Sequence, residues 1–355
     1  MNPFLRKLGI ELPIVQAPMA GVSTAELAAI VSNAGGLGSI GVGSVDAEAT
    51  RKMIASVRSL TDRPFNVNIF CHQPAKSDSA REAAWLSRLA PEFARYGAKP
   101  PTHLAEIYRT FLTDDAKLSV LLNERPPIVS FHFGLPSSAQ IEALRSAGII
   151  LIATATNLDE GNAIATAGID AVVAQGYEAG GHRGVFDPHI PDDRLGTIAL
   201  TRLLVRKLSI PVIAAGGIMD GGGIAASLAL GAVAAQLGTA FVACPESSAD
   251  AAYRSALLGT PAEHTVMTSA ISGRPARCLS NHFTALGMFT TSEAIPDYPI
   301  AYDAGKSLHA AAKAVGEYGY GAQWAGQGAP LAREIPAAEL VVQLRTEMEQ
   351  ALALY

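Results

Sequence analysis

An α/β fold in which eight parallel strands close into a (β/α)8 barrel is predicted by three features of the 355-residue chain. Apolar residues recur in short continuous blocks, the pattern of strands buried on both faces of a parallel sheet. A polar or Gly-rich corner follows each block and leads into a helix-period segment that ends near a glycine. Most blocks start roughly twenty residues apart, room for one strand, one helix and two short loops. The competing open, doubly wound sheet lacks its fingerprint, because no strand leads into GxGxxG opening a helix. The pattern is that of a TIM (β/α)8 barrel.

The strand blocks run in order as 14–19, 37–42, 65–70, 128–133, 149–155, 171–175, 211–215 and 234–242. Between them, Ser23-Thr24 precedes an Ala/Leu/Ile-rich run closed by Gly35-Gly36, and Ser137-Ser138 precedes one closed by Gly148. Such hydroxyl caps and glycine stops mark the ends of helices. Two stretches break the rhythm. An insertion over 72–125 carries three helical patterns, around 80–95, 103–110 and 114–124, punctuated by Pro91 and Pro100-Pro101. After the eighth block come a helix-sized run, a Pro/Gly/Ser-rich middle and two late helices near 307–317 and 336–354. The expected organisation is a barrel over 1–250 that includes the insertion, a smaller substrate-covering region over 251–334, and a C-terminal helix over 335–355 packing back on the barrel. Segments inserted after barrel strands emerge at the catalytic face.

Composition narrows the partners. A net charge of -5 without clustered Lys and Arg argues against nucleic acid. Three scattered cysteines, Cys71, Cys244 and Cys278, form no CxxC pair, no disulfide framework and no metal-spaced set, which fits a reducing cytoplasm. The uncharged stretch 224–244 is Ala/Gly-rich and divided by Gly231, so it reads as a buried helix followed by a strand rather than a membrane span. The N-terminal stretch reaches Glu11 and two prolines before any long apolar run, unlike a secretory signal. A monomer or a homodimer fits equally.

Chemistry in such a barrel sits at the carboxyl ends of the strands. The seventh block ends in Gly216-Gly217 and the eighth carries Gln236-Leu237-Gly238-Thr239. Glycines at these late corners let backbone N–H groups approach a phosphate without a lysine, which points to a phosphorylated cofactor. The first block runs through Ala17-Pro18-Met19 to Gly21, a rigid turn suited to lie under a ring. Asn68 in the third block and Gln175 at the end of the sixth carry amides able to offer both donor and acceptor to a heterocycle edge. The loop Gly180-Gly181-His182 is the strongest local signal, because glycines leave the imidazole free to approach a planar ligand and histidine exchanges protons near neutral pH. His132 is a second candidate. That loop has no cysteine for covalent thioimidate chemistry, and HExxH, DxDxDG and GxSxG are all absent from the sequence. A redox barrel driven by a cofactor and holding no metal remains.

The strings QAPMAG (16–21), NVNIFCH (66–72), SFHFGLP (130–136), AQGYEAGGHRGVFD (174–187), IPVIAAGGI (210–218), AAQLGTAFVACPES (234–247), SAISGRPAR (269–277) and YDAGKS (302–307) resemble those of class I nitronate monooxygenases, formerly called 2-nitropropane dioxygenases. The likeness spans about residues 10–328. It implies a TIM barrel holding FMN non-covalently and oxidising alkyl nitronates, propionate 3-nitronate above all, with O2 to a carbonyl compound and nitrogen oxyanions. By the same likeness, Ala17, Pro18 and Met19 line the flavin, and Asn68 and Gln175 bond its ring edge. Gly180, Gly217, Gln236, Gly238 and Thr239 hold its phosphate end. His182 falls on the catalytic histidine, and Tyr108, Tyr253, Tyr298, Tyr302 and Lys306 match a substrate chamber. An NAD(P)H-dependent FMN reductase of quinones or of enoyl-acyl carrier protein is the alternative, because those relatives share the barrel, the glycine pair and a GGH loop.

Overall fold

The computed structural model describes residues 2–288 and 290–354. Its parallel strands are β1 (Ile14–Gln16), β2 (Gly38–Gly41), β3 (Phe65–Phe70), β4 (Ile128–His132), β5 (Ile150–Ala155) and β6 (Ala171–Gln175), followed past the two-residue β7 (Gly181–His182) by β8 (Val212–Ala215) and β9 (Ala234–Leu237). Ladders run β2-β3-β4-β5-β6-β8-β9-β1, all parallel. A bridge between Val15 and Leu37, with Leu37 N–H on Ile14 O and Gln16 N–H on Leu37 O at 2.9 Å each, joins the two ends and closes the barrel.

Closure leaves two problems of filling. At the amino end, the helix Pro3–Leu8 caps the barrel, and Phe4, Leu5 and Leu8 join Ile128, Val173, Ile213 and Ala215 in one buried cluster. Outside the strands, the helices pack with only small residues to spare, and Gly38 shows why. A Cβ there would lie 1.8 Å from the carbonyl oxygen of Ala28, in the helix Ala25–Asn33.

The expected caps are present. Thr24 accepts a hydrogen bond from Leu27 N–H, and Ser137 forms a capping box with Gln140 at the start of the helix Ser138–Ser146. The stretch 224–244 contains part of the helix Gly221–Ala229 and β9, separated by Gly231 at φ +99°, and among the described residues no helix is long and apolar enough to cross a membrane.

Three element expectations are corrected. The eighth strand stops at Leu237, and Thr239–Val242 is a short helix, because a short, buried, mostly apolar run fits a helix as well as a strand. Residues 103–110 form no helix. The segment is tied down instead by Ala105 N–H on the Asp303 carboxylate and by Thr110 Oγ1 on His72 O. The late helix spans Ile300–Lys313 and so starts before the expected 307, while Pro91 lies inside the continuous helix Ser79–Arg95.

Within the insertion, the helix Asp115–Glu124 takes its place on the barrel wall. The helix Ser79–Arg95 instead buries Trp85, Leu89 and Phe93 against Ile271, Phe283, Leu308 and Tyr320 of the chain after β9. There, β10 (Thr265–Thr268) and β11 (Ala276–Leu279) pair antiparallel, and β7 adds to them as a third strand. The final helix, Ala337–Leu352, packs Leu340, Leu344 and Met348 onto the helix Gly221–Ala229.

Replacing Gly38 by Ala is expected to cost about 3 kcal/mol or more, since backbone rather than a side-chain tip must move. Gly222→Ala, whose new Cβ would have its nearest neighbour at 3.4 Å, is expected to change stability by less than about 1 kcal/mol. Urea unfolding of the two variants checks this, and equal midpoints would contradict the packing account.

Candidate active site

One cavity of about 490 Å³ opens at the carboxyl ends of the strands. Its lining includes Ala17, Pro18, Met19, Asn68, Tyr108, His132, Gln175, Gly180, Gly181, His182, Gly216, Gly217, Gln236, Gly238, Thr239, Tyr253, Tyr298, Tyr302 and Lys306. Leu237 is the exception. It follows inward-facing Gln236 on a strand, so alternation turns it outward, and it is buried with Ile14, Leu27 and Phe241 between barrel and helices.

The Ala17–Gly21 turn is held from inside the barrel. Gln16 is fully buried, accepts from Ser39 N–H at 2.7 Å and donates to Ser23 Oγ at 2.9 Å. Ser23 Oγ accepts in turn from Met19 N–H, and Gly21 takes the left-handed φ of +77° that lets the chain leave. Two strands away, at the end of β8, Gly216 and Gly217 have φ of +118° and +71°. Thr197 Oγ1 donates to Gly216 O at 2.9 Å, while the Glu178 carboxylate accepts from Thr197 N–H. The N–H groups of Gly180, Gly217 and Gly238 find no acceptor among the described residues. Unpaired backbone donors at a cavity wall suit an anion's oxygens.

His182 sits on β7, and its backbone is fixed by pairing with Ala276 on β11. Its carbonyl accepts from Gln175 Nε2 at 3.0 Å and from His132 Nε2 at 3.2 Å. Its ring Nε2 lies 2.8 Å from Ser272 Oγ. Trp324, Tyr298 and Phe133 surround the ring at centroid distances of 5.0, 5.4 and 5.6 Å. Both nitrogens of His132 are engaged, Nε2 with that carbonyl and Nδ1 with Thr154 Oγ1 at 3.2 Å, so His132 positions the loop. The Gln175 amide is likewise spent on the loop, its oxygen accepting Gly184 N–H at 2.7 Å.

Three of the four expected tyrosines cluster. Lys306 Nζ stands 4.8 Å from the Tyr108 ring centroid and 5.4 Å from that of Tyr302, and Tyr298 lies 6.3 Å from Tyr108. Lys306 makes no ion pair among the described residues. Tyr253 stands apart, its hydroxyl donating to Trp324 O. Sequence reasoning assigned no role to Ser272, Arg274, His72 or Trp324. Ser272 and Arg274 lie in SAISGRPAR, one of the strings that carry the resemblance, which was the available signal.

The family profile described as Nitronate monooxygenase matches residues 2–347. The chain is 64% identical over 345 residues to the nitronate monooxygenase of Paraburkholderia phytofirmans, covering 97% of this chain and 94% of that one. It is 57% identical to the nitronate monooxygenase of Pseudomonas aeruginosa, covering 98% of each. The crystal structure of a nitroalkane oxidase from Streptomyces ansochromogenes superposes with a TM-score of 0.91 at 42% identity, covering both chains fully. The chain belongs to the nitronate monooxygenase family. It is an oxidoreductase on a TIM barrel, and the reductase alternative finds only distant support.

In this nitronate monooxygenase family member a buried cation stands behind the histidines of the site. Arg274 is 3% exposed and forms no ion pair among the described residues. Its guanidinium lies 4.4 Å over the Phe133 ring and donates to Val185 O. Phe133 itself has φ +72°, an unusual conformation for a bulky residue, which the ring contacts on both sides hold in place. Burial lowers the Arg274 pKa to about 10, so the group stays charged at neutral pH. Burial first, and nearby positive charge second, push His182 down to about 3, with His132 and Arg274 the largest contributors. His132 falls to about 4 and His72 to about 3, again chiefly by burial. All three imidazoles are therefore neutral at pH 7, and an anion in the cavity would favour protonation of His182.

A histidine whose folded pKa lies below its unfolded value of about 6.5 contributes fully to stability above that pH and costs stability as pH falls toward its folded pKa. Stability should therefore decline between about pH 6.5 and 4, by up to about 1.4 kcal/mol per pH unit for each of the three. Denaturant unfolding across this range measures the slope, and His72→Phe should make it shallower by about one proton. A slope unchanged in that variant would contradict the assignment.

Proposed function

We propose that this enzyme oxidises alkyl nitronates with O2, with propionate 3-nitronate the favoured substrate, and that FMN is the cofactor held at the barrel mouth. The observation that carries the reading is a neutral, half-buried His182 sharing one cavity with a lysine that has no ion-pair partner among the described residues. Tyr302 links the two, its ring lying 6.1 Å from the His182 ring and 5.4 Å from Lys306 Nζ. Lys306 supplies a compact positive charge for a substrate carboxylate, and the Tyr108 and Tyr302 rings hold it by cation–π contact. His182, once protonated, balances the negative charge of a nitronate, and in neutral form it accepts the α-proton of a nitroalkane.

The residues that would hold FMN fit its shape and charge. Ala17, Pro18 and Met19 give an apolar wall. Asn68 Nδ2 donates to Ser130 Oγ at 2.9 Å, and its side-chain oxygen accepts no bond among the described residues, so it is available to a ring N–H. The free N–H groups of Gly180, Gly217 and Gly238 suit the phosphate. When bound, the flavin supplies the electron acceptor that these side chains lack. Arg274 would add positive potential behind the site. The three unpaired, buried cysteines suit a reducing cytoplasm.

Oxygen-electrode assays test the reading. Turnover with propionate 3-nitronate is expected. His182→Asn should keep the flavin and lose at least about a hundredfold in kcat/KM toward neutral nitroethane, with a much smaller loss toward ethyl nitronate prepared in advance. Lys306→Met should raise KM for propionate 3-nitronate and leave KM for ethyl nitronate, which has no carboxylate, nearly unchanged. Equal losses on both members of either pair would contradict the assigned roles.

A further inference from the structure

We propose that Ser272 is a positioning residue that holds His182 in the tautomer with hydrogen on Nε2, so that Nδ1 is the atom that takes the substrate proton. The inference rests on the base role given to His182 above and goes beyond it by naming the atom and the group that selects it.

The argument is an accounting of one hydroxyl proton. Ser272 is fully buried, and its Oγ lies 2.8 Å from His182 Nε2 and 3.2 Å from Arg274 O. A hydroxyl donates one hydrogen, so it serves one of these two neighbours. Arg274 O receives no other hydrogen bond among the described residues, and Arg274 is itself buried. If Ser272 donated to Nε2, that carbonyl would be buried without a donor, an arrangement native structures avoid. If Ser272 donates to Arg274 O, its oxygen accepts Nε2–H and every group is paired. Arg274 N–H also approaches Ser272 Oγ at 3.4 Å, which adds to the donors facing that oxygen. The chain of donors therefore runs from His182 Nε2 through Ser272 Oγ to Arg274 O.

The other ring nitrogen is left open. Nδ1 bonds to nothing among the described residues and is not among the atoms buried without a partner, while His182 lines the cavity. Rotation of the ring is opposed on all sides. The His182 backbone is tied to β11 and to Gln175 and His132, and the ring is packed by Trp324, Tyr298 and Phe133. The Ser272 turn is equally fixed. Gly273 N–H bonds to Ser269 O at 2.8 Å, Gly273 has φ +91°, and a Cβ on it would lie 2.5 Å from Pro296 O. The titratable and charged groups around the ring are Arg274, His132, His72, Tyr298 and Tyr302, and none of them is a carboxylate that could take over the role of Ser272.

In the step itself, the substrate Cα–H bond breaks, its electron pair stays on the substrate as the nitronate, and the proton forms a new N–H bond at Nδ1. Nε2 keeps its hydrogen throughout, and the Ser272 oxygen faces the imidazolium that results.

The test uses the flavin-loaded enzyme labelled with 15N-histidine. The His182 signals are assigned by their loss in His182→Asn. Nε2 is expected to be the protonated ring nitrogen near neutral pH and Nδ1 the unprotonated one, and the reverse pattern would overturn the proposal. Ser272→Ala should redistribute the two tautomers and lower kcat/KM for neutral nitroethane at least about tenfold, with less than about a twofold change on ethyl nitronate. Ser272→Thr, which restores the hydroxyl, should recover most of the loss. Unchanged activity on nitroethane in Ser272→Ala, or equal losses on both substrates, would also overturn the proposal. If the parent enzyme turned over neither compound, the proposed function would fail, whereas the 15N spectrum would still decide the tautomer.

Discussion

The two-residue pairing of β7 with β11 is the interaction on which the site depends. It makes the loop after β6 the edge of a small sheet built by the chain after β9. A glycine-rich loop alone would leave its histidine free to wander. Here the ladder, the Gln175 and His132 hydrogen bonds to the His182 carbonyl, and the ring packing fix both position and orientation. Sites held this way meet the geometric demand of proton transfer without an ordering cost at each turnover.

That same enclosure governs the electrostatics. The histidine is half-buried among aromatic rings, and a guanidinium acts on it as a permanent charge. Burial of an arginine without an acid is expensive, and the structure offsets part of the cost with a carbonyl acceptor and an aromatic face. Asp250, the carboxylate that reaches the cavity wall, is paired with Lys313 at 2.7 Å. The mouth therefore presents positive and neutral groups, which favours anions over neutral ligands of the same shape.

Much of this was legible in the order of residues. The barrel showed because strands buried on both faces are continuous apolar runs, and caps such as Thr24 and Ser137 declare their helices locally. His182 showed because glycines on either side have few other uses. Legibility failed where local sequence is ambiguous or where the partner is distant. Thr239–Val242 is short and mostly apolar, so nothing local separated helix from strand. Leu237 sits in a string that otherwise lines the cavity, yet the two-residue period of a strand turns it outward. Ser272 reaches His182 across 90 residues of sequence, and no local pattern announces such a contact. The insertion's middle segment was decided by bonds to Asp303 and His72, which propensity does not register.

The central proposal is that backbone N–H groups left without an acceptor among the described residues at the late strand ends would hold a dianionic tail and thereby set a flavin beside a neutral imidazole. Its most direct measurement is a fluorescence titration of cofactor-stripped protein with FMN and, separately, with riboflavin, which differs only in lacking the phosphate. Several charge-assisted hydrogen bonds to that phosphate predict FMN binding at least about a hundredfold tighter than riboflavin. Equal affinity for the two, or failure to bind FMN, would contradict the account.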